Sequence, residues 1–448
     1  MASLPQLPHV ASALRRVLTA IPEAEARASG YRVRRGKLDA AVFVPTLVFG
    51  WWQRPRATLA ELSQTAAALG TPVSPQALDQ RFTPAAAALL RKRVEAAAAE
   101  VVAADPVAPA VLTRFAAVEV LDSTTVGLPD ALAATWRGCG GRTGRGAEAA
   151  LKVTVRLDLV SGRLTGPELG AGRTQDRATA AQRAPVGAGA LRVADQGFAA
   201  LGAYAAIAAE GAYFLSRLPV QWGLLRPDGS RLDLGAWLAD QADDAAEIGV
   251  GLGVTAGVPA RLLAARVPAD VAEERRRTRR AAAKREGRTP NAAALARADW
   301  TLLVTNAPAG LLSLVEARAV LRARWQVELL FKRWKSQAGL ATSRSANPHR
   351  VLCEVYAKLL VALAQHWVLL TGCWQRSDRS LAAATSVVRA YGLPLALQLH
   401  TPAGLLATLT VVARVLSACR PITRRRAAPA TFQLLADPDL GWGPGGLA

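Results

Sequence analysis

The stretch Leu321-Arg-Ala-Arg-Trp-Gln-Val-Glu-Leu-Leu-Phe-Lys-Arg-Trp-Lys335 decides how the rest of the chain is interpreted. Its apolar side chains recur at helical spacing, so the pattern predicts one helix with a buried stripe. The neighbouring stripe carries Leu321, Arg324, Glu328 and Lys335, which places one acid between two bases beside the buried edge. The apolar stripe consists of Val320, Val327, Leu330, Phe331 and Trp334.

Glu328 allows two interpretations when this stretch is taken alone. Arg324 lies one turn before it and Lys332 one turn after it, which is common among ion pairs on helix surfaces. The alternative is an acid held beside the core for a chemical purpose. The rest of the chain favours the second interpretation.

Composition excludes some classes of protein and favours others. The chain has 448 residues, enough for two or three domains, and 51% of them are hydrophobic, which excludes a largely disordered protein. Its 55 Lys and Arg residues outnumber 34 Asp and Glu, which gives a formal net charge of +21. A polyanion is the partner that this charge predicts, with nucleic acid as the leading candidate.

Cysteine and histidine spacing gives no sign of structural zinc or of a disulfide framework. The four cysteines form no Cys-X-X-Cys pair, and the four histidines have no metal-ligand spacing with them. Residues 1–30 lack the pattern of a secretory signal, and charged or polar side chains interrupt the longest apolar stretches. We therefore predict a cytoplasmic protein with no membrane partner.

Residues 1–112 are predicted to form an α-helical N-terminal domain that binds DNA. Between residues 59 and 82 one helix ends, a turn follows, and Ser74 caps a second helix. The second helix would suit a helix-turn-helix that probes a DNA groove, and an ordinary helical hairpin is the alternative. Its polar side chains are Gln76, Gln80 and Arg81.

Short apolar runs of strand length mark residues 113–217 as the first part of an α/β core. One strand ends at Asp122, two strands joined by a turn follow, and a fourth strand ends at Asp195. A helix and a fifth strand, which ends at Arg217, complete the segment. This is the element order of the ribonuclease-H-like fold, in which both acids would lie at the centre of the sheet. Either acid alone could be a turn or cap residue, but a core disfavours unpaired carboxylates, and the pair together with Glu328 indicates function.

Residues 218–310 are predicted to interrupt this core as a mostly β insertion. Inside it, between Glu273 and Arg288, eight Lys or Arg side chains accompany only three acids. Such a run is usually a solvated helix face, but this excess would repel itself unless a DNA backbone supplied the opposite charge. Residues 311–420 form the second part of the core with C-terminal helices, and residues 421–448 form a loosely packed tail.

Asp122, Asp195 and Glu328 are the candidate catalytic residues and metal ligands. Carboxylate oxygens are the ligands that Mg²⁺ prefers, and Mn²⁺ would substitute for it. Two such ions roughly 4 Å apart can activate the attacking oxygen and stabilise the leaving one in a phosphoryl transfer. Water as nucleophile would leave a free 3′-hydroxyl, which could then attack a second DNA strand.

Three blocks of the chain resemble DDE transposases of bacterial insertion sequences, in the group with a Tyr-Arg-Glu-Lys signature (the IS-four family). They are Asp122-Ser-Thr, Ala194-Asp-Gln-Gly-Phe198 and Arg324-Trp-Gln-Val-Glu-Leu-Leu-Phe-Lys332, and the resemblance covers most of the length. In that family the three acids bind the catalytic metals, and the signature Arg and Lys hold phosphates. The resemblance therefore implies that Arg324 and Lys335 bind DNA.

The chain departs from the family pattern at the signature tyrosine, where the spacing places Leu321. Leucine cannot donate a hydroxyl to a phosphate, which predicts weaker or altered binding of the DNA end. Trp300, 28 residues before Glu328, stands where relatives stack a tryptophan on a flipped-out base, although a core tryptophan is the alternative. Other candidates to contact DNA are Lys332, Arg217, Lys152 and Arg192.

The resemblance implies a transposase that excises an insertion sequence by binding its terminal inverted repeats and joins it to target DNA. It also implies a homodimer at the synapsed ends and a bacterial cytoplasmic protein, associated with the nucleoid when bound to DNA. Two alternatives stay open. One is a decayed or captured transposase that only binds DNA, and the other is a ribonuclease-H-like nuclease without strand transfer.

Overall fold

The computed structural model describes residues 6–21, 23–31, 38–107, 109–140, 148–289, 295–376, 379–419 and 429–441. Residues 141–147 and parts of the predicted tail lie outside these ranges. The chain forms two compact units. The first comprises Met1–Val107, Asp122–Thr174 and Gln326–Thr423, and the second comprises Ala108–Leu121, Gln175–Trp325 and Arg424–Ala448.

Helices and strands alternate in a mixed α/β protein, as the sequence predicts. The strands are β1 (Val118–Leu128), β2 (Ala149–Asp158), β3 (Leu164–Ala171), β4 (Leu191–Ala194), β5 (Tyr213–Arg217), β6 (Leu224–Leu225), β7 (Ala245–Leu252), β8 (Val258–Arg266) and β9 (Trp300–Thr305). The helices are α1 (Gln6–Leu18), α2 (Glu23–Ala28), α3 (Ala40–Gln53), α4 (Leu59–Ala68), α5 (Pro75–Asp79), α6 (Pro84–Ala99), α7 (Ala110–Thr113), α8 (Ala180–Arg183), α9 (Leu201–Ala209), α10 (Leu234–Ala239), α11 (Ala269–Arg285), α12 (Leu314–Ala323), α13 (Trp325–Ser336), α14 (Pro348–Leu370), α15 (Leu381–Ala390), α16 (Gly392–Leu397), α17 (Pro402–Ser417) and α18 (Thr431–Ala436).

Helix α14 is the central element of the first unit. Its residues from Val351 to Leu370 are all buried, and α3 and α6 pack against it. By length and composition α14 is the one helix in the described ranges that could cross a membrane, but all of its apolar window is buried inside the protein. That environment is the one expected of a core helix.

The predicted cap at Ser74, between two short helices near the N-terminus, is confirmed. The Ser74 hydroxyl accepts a hydrogen bond from the Ala77 backbone N–H at 3.1 Å, which satisfies one of the free donors at the start of α5. Helix α5 has only five residues and ends at Asp79, so Gln80 and Arg81 follow it. A helix this short offers little length to a DNA groove, and the geometry favours the helical hairpin.

The second unit contains a large mixed sheet. The strand order is β1-β4-β5-β9-β8-β7-β6, with β1, β4 and β5 parallel and the remaining pairs antiparallel. Parallel pairing of β1 with β4 ends at Leu121 opposite Ala194. Strand β9 pairs with β5, so the strands of the 218–310 segment continue the sheet that begins with β1.

Two predictions are wrong: that a strand ends at Asp122, and that the tail is loosely packed throughout. Strand β1 continues past Asp122 to Leu128, because the threonines and valine that follow favour extended backbone as much as the preceding run does. Asp122 therefore lies within the strand, at the point where pairing with β4 stops. The described part of the tail is also ordered: Leu434 of α18 is fully buried, and α18 packs against α12.

The stretch from Leu321 to Lys335 is not one helix. It is divided at Arg324, whose N–H bonds to Leu321 O at 3.2 Å, three residues back, in place of the usual four. Leu321 belongs to α12 in the second unit, whereas Glu328 belongs to α13 in the first. The predicted apolar residues Val320, Val327, Leu330, Phe331 and Trp334 are nevertheless all buried.

Candidate active site

An open cavity of about 500 Å³ in the first unit brings β1 and α13 together. The first and third predicted acids, Asp122 and Glu328, line this cavity. Two predicted DNA contacts, Lys332 and Lys335, line it as well. Its lining residues are Asp122, Ser123, Thr124, Glu328, Phe331, Lys332, Lys335 and Ser336.

Helix α13 presents Phe331 and four polar side chains to this cavity, and its other apolar residues Val327, Leu330 and Trp334 are buried. Glu328, Lys332, Lys335 and Ser336 follow one another at intervals of three, four or one, so they lie on one side of the helix. Of the predicted stripe, Glu328 and Lys335 line this cavity, whereas Arg324 belongs to the second unit. Ser123 and Thr124 belong to the first sequence block, whereas Ser336 is a lining residue outside the three blocks. The eight-residue interval between Glu328 and Ser336 was the available signal.

Backbone hydrogen bonding holds the carboxylate of Asp122. The Ser123 N–H donates to Asp122 Oδ1 at 2.8 Å, and Asp122 is half-buried within β1. Glu328 is also half-buried, one turn into α13. Two carboxylates in an open, water-accessible cavity can coordinate a cation without the full cost of burying a charge.

The lysines differ in their environment. Burial lowers the pKa of Lys335 from its ordinary value of 10.5, whereas Lys332 is exposed. Lysine ammonium groups beside two carboxylates give the cavity both signs of charge. Such a cavity can accept a phosphate on its basic side and a metal ion on its acidic side.

Asp195 belongs to the second unit, where it directly follows β4 and precedes a short 3₁₀ turn, Gln196–Phe198. The Gln182 side-chain amide donates to Phe198 O at 2.6 Å and anchors this turn. Phe198 packs in a small cluster with Leu121 and Ala194, the residues that end the paired part of β1 and β4. Each of these two paired residues is followed in sequence by one of the predicted catalytic aspartates.

Within the described ranges, no group of three or more His, Cys, Asp and Glu side chains is arranged to hold a metal ion. This does not conflict with the chemistry of Mg²⁺, which commonly binds one or two protein carboxylates and completes its coordination with water and substrate phosphates. The cavity that holds Asp122 and Glu328 supplies two carboxylates of the required type. The residues present therefore fit a hard divalent cation.

Other predicted DNA contacts are found in less accessible positions. Lys152 is 8% exposed in β2, and Trp300 is 5% exposed with the Arg266 guanidinium 4.4 Å above its ring. The geometry favours the alternative of a core tryptophan. The suggestion that Arg192 faces DNA is wrong, because it is 2% exposed and pairs with Glu119 at 2.8 Å.

Arg217 and Arg324 remain accessible in the second unit. Arg217 is exposed as the last residue of β5, and Arg324 is half-buried at the end of α12. Their roles in binding DNA stay predictions.

Residues 114–364 match the family described as Transposase DDE domain. The chain belongs to the DDE transposase family. The matched range includes Asp122, Asp195, Glu328 and Lys335, so the family predicted from the three sequence blocks is confirmed. DDE transposases are enzymes that act on DNA and generally use divalent metal ions.

Curated relatives of this chain carry names that refer to insertion sequences. The transposase for insertion sequence element IS231B of Bacillus thuringiensis subsp. berliner is 24% identical over 320 residues, which cover 66% of each chain. The transposase for IS231F of Bacillus thuringiensis subsp. israelensis is 22% identical over 318 residues, again 66% of each. The InsL protein of insertion sequence element IS186A of Escherichia coli (strain K12) is 31% identical over 183 residues, 38% of this chain and 49% of that protein. The chain thus spans just under two thirds of the length of the IS231 relatives.

Proposed function

We propose that this protein is the transposase of a bacterial insertion sequence, and that it excises the element and joins it to new DNA in metal-dependent reactions. The observation that carries the proposal is the cavity in which Asp122 and Glu328 lie with Lys332 and Lys335. Because the chain belongs to the DDE family, the reaction that we propose for this cavity is phosphoryl transfer on DNA. The names of the relatives support an insertion sequence as the mobile DNA.

We further propose that the catalytic core is ribonuclease-H-like. Support comes from the parallel neighbours β1, β4 and β5 and from the antiparallel pair β2 and β3. In such a core, acids that follow adjacent parallel strands face the same edge of the sheet. Asp122 and Asp195 follow a registered pair of residues on two such strands.

Asp122, Asp195 and Glu328 are the proposed ligands of Mg²⁺, with Mn²⁺ as a substitute. The bound cation would supply charge stabilisation to the attacking and leaving oxygens of the DNA phosphate. The chain itself holds Asp122 in place through the Ser123 N–H. Lys332 and Lys335 would neutralise phosphate charge beside the acids, and Arg324 would contribute a phosphate contact at the transposon end.

The proposed DNA partners are the terminal inverted repeats of the element and a target duplex. Water is the first nucleophile, and the 3′-hydroxyl that it exposes is the second. A homodimer would hold both ends in the synapsed complex. The proposed location is the bacterial cytoplasm, with association to the nucleoid through bound DNA.

Alanine substitutions test the catalytic assignment. Asp122→Ala, Asp195→Ala and Glu328→Ala should each lower cleavage of DNA from the borders of the coding region by at least about 100-fold with Mg²⁺ or Mn²⁺. Each should bind that DNA within about threefold of the wild type, because the acids contribute no positive charge. Asp228→Ala, an exposed acid in the turn after β6, is the matched control and should cleave normally. Unchanged cleavage by all three variants would remove the assignment.

Leu321 favours one competing function, a decayed or captured transposase that binds DNA without cutting it. Leucine at this position of α12 lacks the hydroxyl that the family signature provides. An assay with a pre-cleaved end separates the candidates. Joining to target DNA supports the transposase, cutting without joining supports a nuclease, and binding without either reaction supports the decayed protein.

A further inference from the structure

Arginine side chains from several elements converge on one face of the sheet in the second unit. Arg217 lies opposite Leu303 in the antiparallel pair β5 and β9. Opposed residues point to the same face, and so does Thr301, two residues from Leu303. Arg275 reaches this face from α11, because its guanidinium donates to Thr301 Oγ1 at 3.3 Å and to Trp300 O at 3.2 Å. Arg217 and Arg275 therefore approach each other over β9.

Two further arginines join them. Arg279 follows Arg275 by one turn of α11, and Arg318 belongs to α12, which packs against β5 and β8. Burial and the positive charges of Arg217, Arg279 and Arg318 lower the pKa of Arg275. We call these four residues the arginine cluster.

The remainder of α11 has a different charge balance. Arg276 pairs with Glu273 at 3.1 Å and also with Asp299, which directly precedes β9, and Arg277 pairs with Glu274. Arg275, in contrast, donates to a carbonyl and a hydroxyl, which carry no charge. On the side that faces the sheet, Arg275 of α11 is therefore bound to uncharged groups.

We propose that Arg217, Arg275, Arg279 and Arg318 form a binding site for the phosphate backbone of duplex DNA. This inference rests on the proposed function and adds three arginines to the predicted DNA contacts. Guanidinium groups match phosphate oxygens in a bidentate geometry. The positive charges of Arg217, Arg279 and Arg318 oppose that of Arg275. A polyanion relieves this repulsion while it releases its own counterions. The arginine cluster should therefore bind duplex DNA of any sequence.

Binding to a fluorescent random-sequence duplex of about 40 base pairs, followed by anisotropy at several salt concentrations, tests the site. Arg275→Gln and Arg318→Gln should each weaken binding about 3- to 10-fold and lower the slope of log affinity against log salt by about 1. Arg217→Gln changes an exposed strand end and should do the same with the least risk to folding. Arg226→Gln removes an equal charge from an exposed position of the same unit and should change binding less than twofold.

Two controls distinguish the loss of a positive charge from the loss of the folded structure. Arg275→Lys keeps the charge, so it should retain the salt slope and lose only part of the affinity. Thermal melting identifies any variant that is unfolded. Wild-type affinity and slope in Arg217→Gln and Arg318→Gln, or an equal loss in Arg226→Gln, would overturn the cluster. Failure of the wild type to cut or join transposon ends would instead overturn the proposed function, because binding to random duplex requires neither reaction.

Discussion

His366 is a neutral histidine in the core of the first unit, and its protonation links stability to pH. It is 4% exposed, its Nε2 lies 2.7 Å from Gly162 O, and burial lowers its pKa from 6.5 to about 4. Because the pKa is lower in the folded state, the unfolded chain binds the proton first as the pH falls. The stability that depends on neutral His366 is therefore complete above about pH 6.5 and is lost toward pH 4.

This loss should reach about 3 kcal/mol when the pH is below the folded-state pKa. Urea denaturation at pH 7 and at pH 4.5 measures it. His366→Gln retains a donor for Gly162 O but cannot be protonated, so its free energy of unfolding should change less between the two pH values. His400→Gln, at an exposed histidine, should keep the wild-type difference. An equal pH dependence in His366→Gln would show that other groups cause the loss.

Residue type alone did not reveal which cations are accessible. Lys152 and Arg192 resemble DNA contacts in the sequence, but each lies in a strand that is buried almost throughout. Strand alternation tells which side chains share a face, and it does not tell whether another layer covers that face. Glu328 and Lys335 could be placed together because helical spacing is a local property.

The 3₁₀ turn after β4 is the element that positions Asp195, and Gly197 lets it pack closely. A Cβ on Gly197 would lie 2.9 Å from Asp176 Oδ2, which is closer than such atoms approach. Gly197→Ala should therefore shift the turn or Asp176, and it should slow cleavage several-fold more than it weakens DNA binding. Gly202→Ala is the matched control, because nothing lies within 4 Å of the added Cβ in α9. It should leave cleavage unchanged and stabilise the protein by about 0.5–1 kcal/mol. Equal cleavage rates for the two variants would contradict this role of Gly197.

Element types were predictable where the chain has strong local signals. Strand β4 ends directly before Asp195 and β5 ends at Arg217, where the apolar runs place them, and α9 lies between these two strands as predicted. The break at Arg324 was not predictable, since no proline or glycine marks it. The extension of β1 past Asp122, in contrast, agrees with the β-propensity of Thr124, Thr125 and Val126, and a carboxylate within this run does not end the strand.

Each compact unit is built from three separate stretches of chain. Contacts between stretches that are hundreds of residues apart are not encoded in composition or periodicity, so the sequence alone could not place Asp122 and Glu328 on one cavity. The family resemblance implied that Asp122 and Glu328 act together, and in the structure both side chains line one cavity. Net charge, in contrast, is a property of the whole chain that composition gives directly.

A net charge of +21 should make DNA binding strongly dependent on salt. A protein that neutralises about 6–10 phosphates loses roughly 10³ to 10⁵ in affinity between about 50 and 200 mM salt, because each released counterion opposes binding at higher salt. We expect the wild type to fall in this range on random duplex, as measured by anisotropy titrations at four or more salt concentrations. The Glu328→Ala variant should show the same slope, since it removes no positive charge. A slope near zero would mean that the excess of basic residues is not used to bind the DNA backbone.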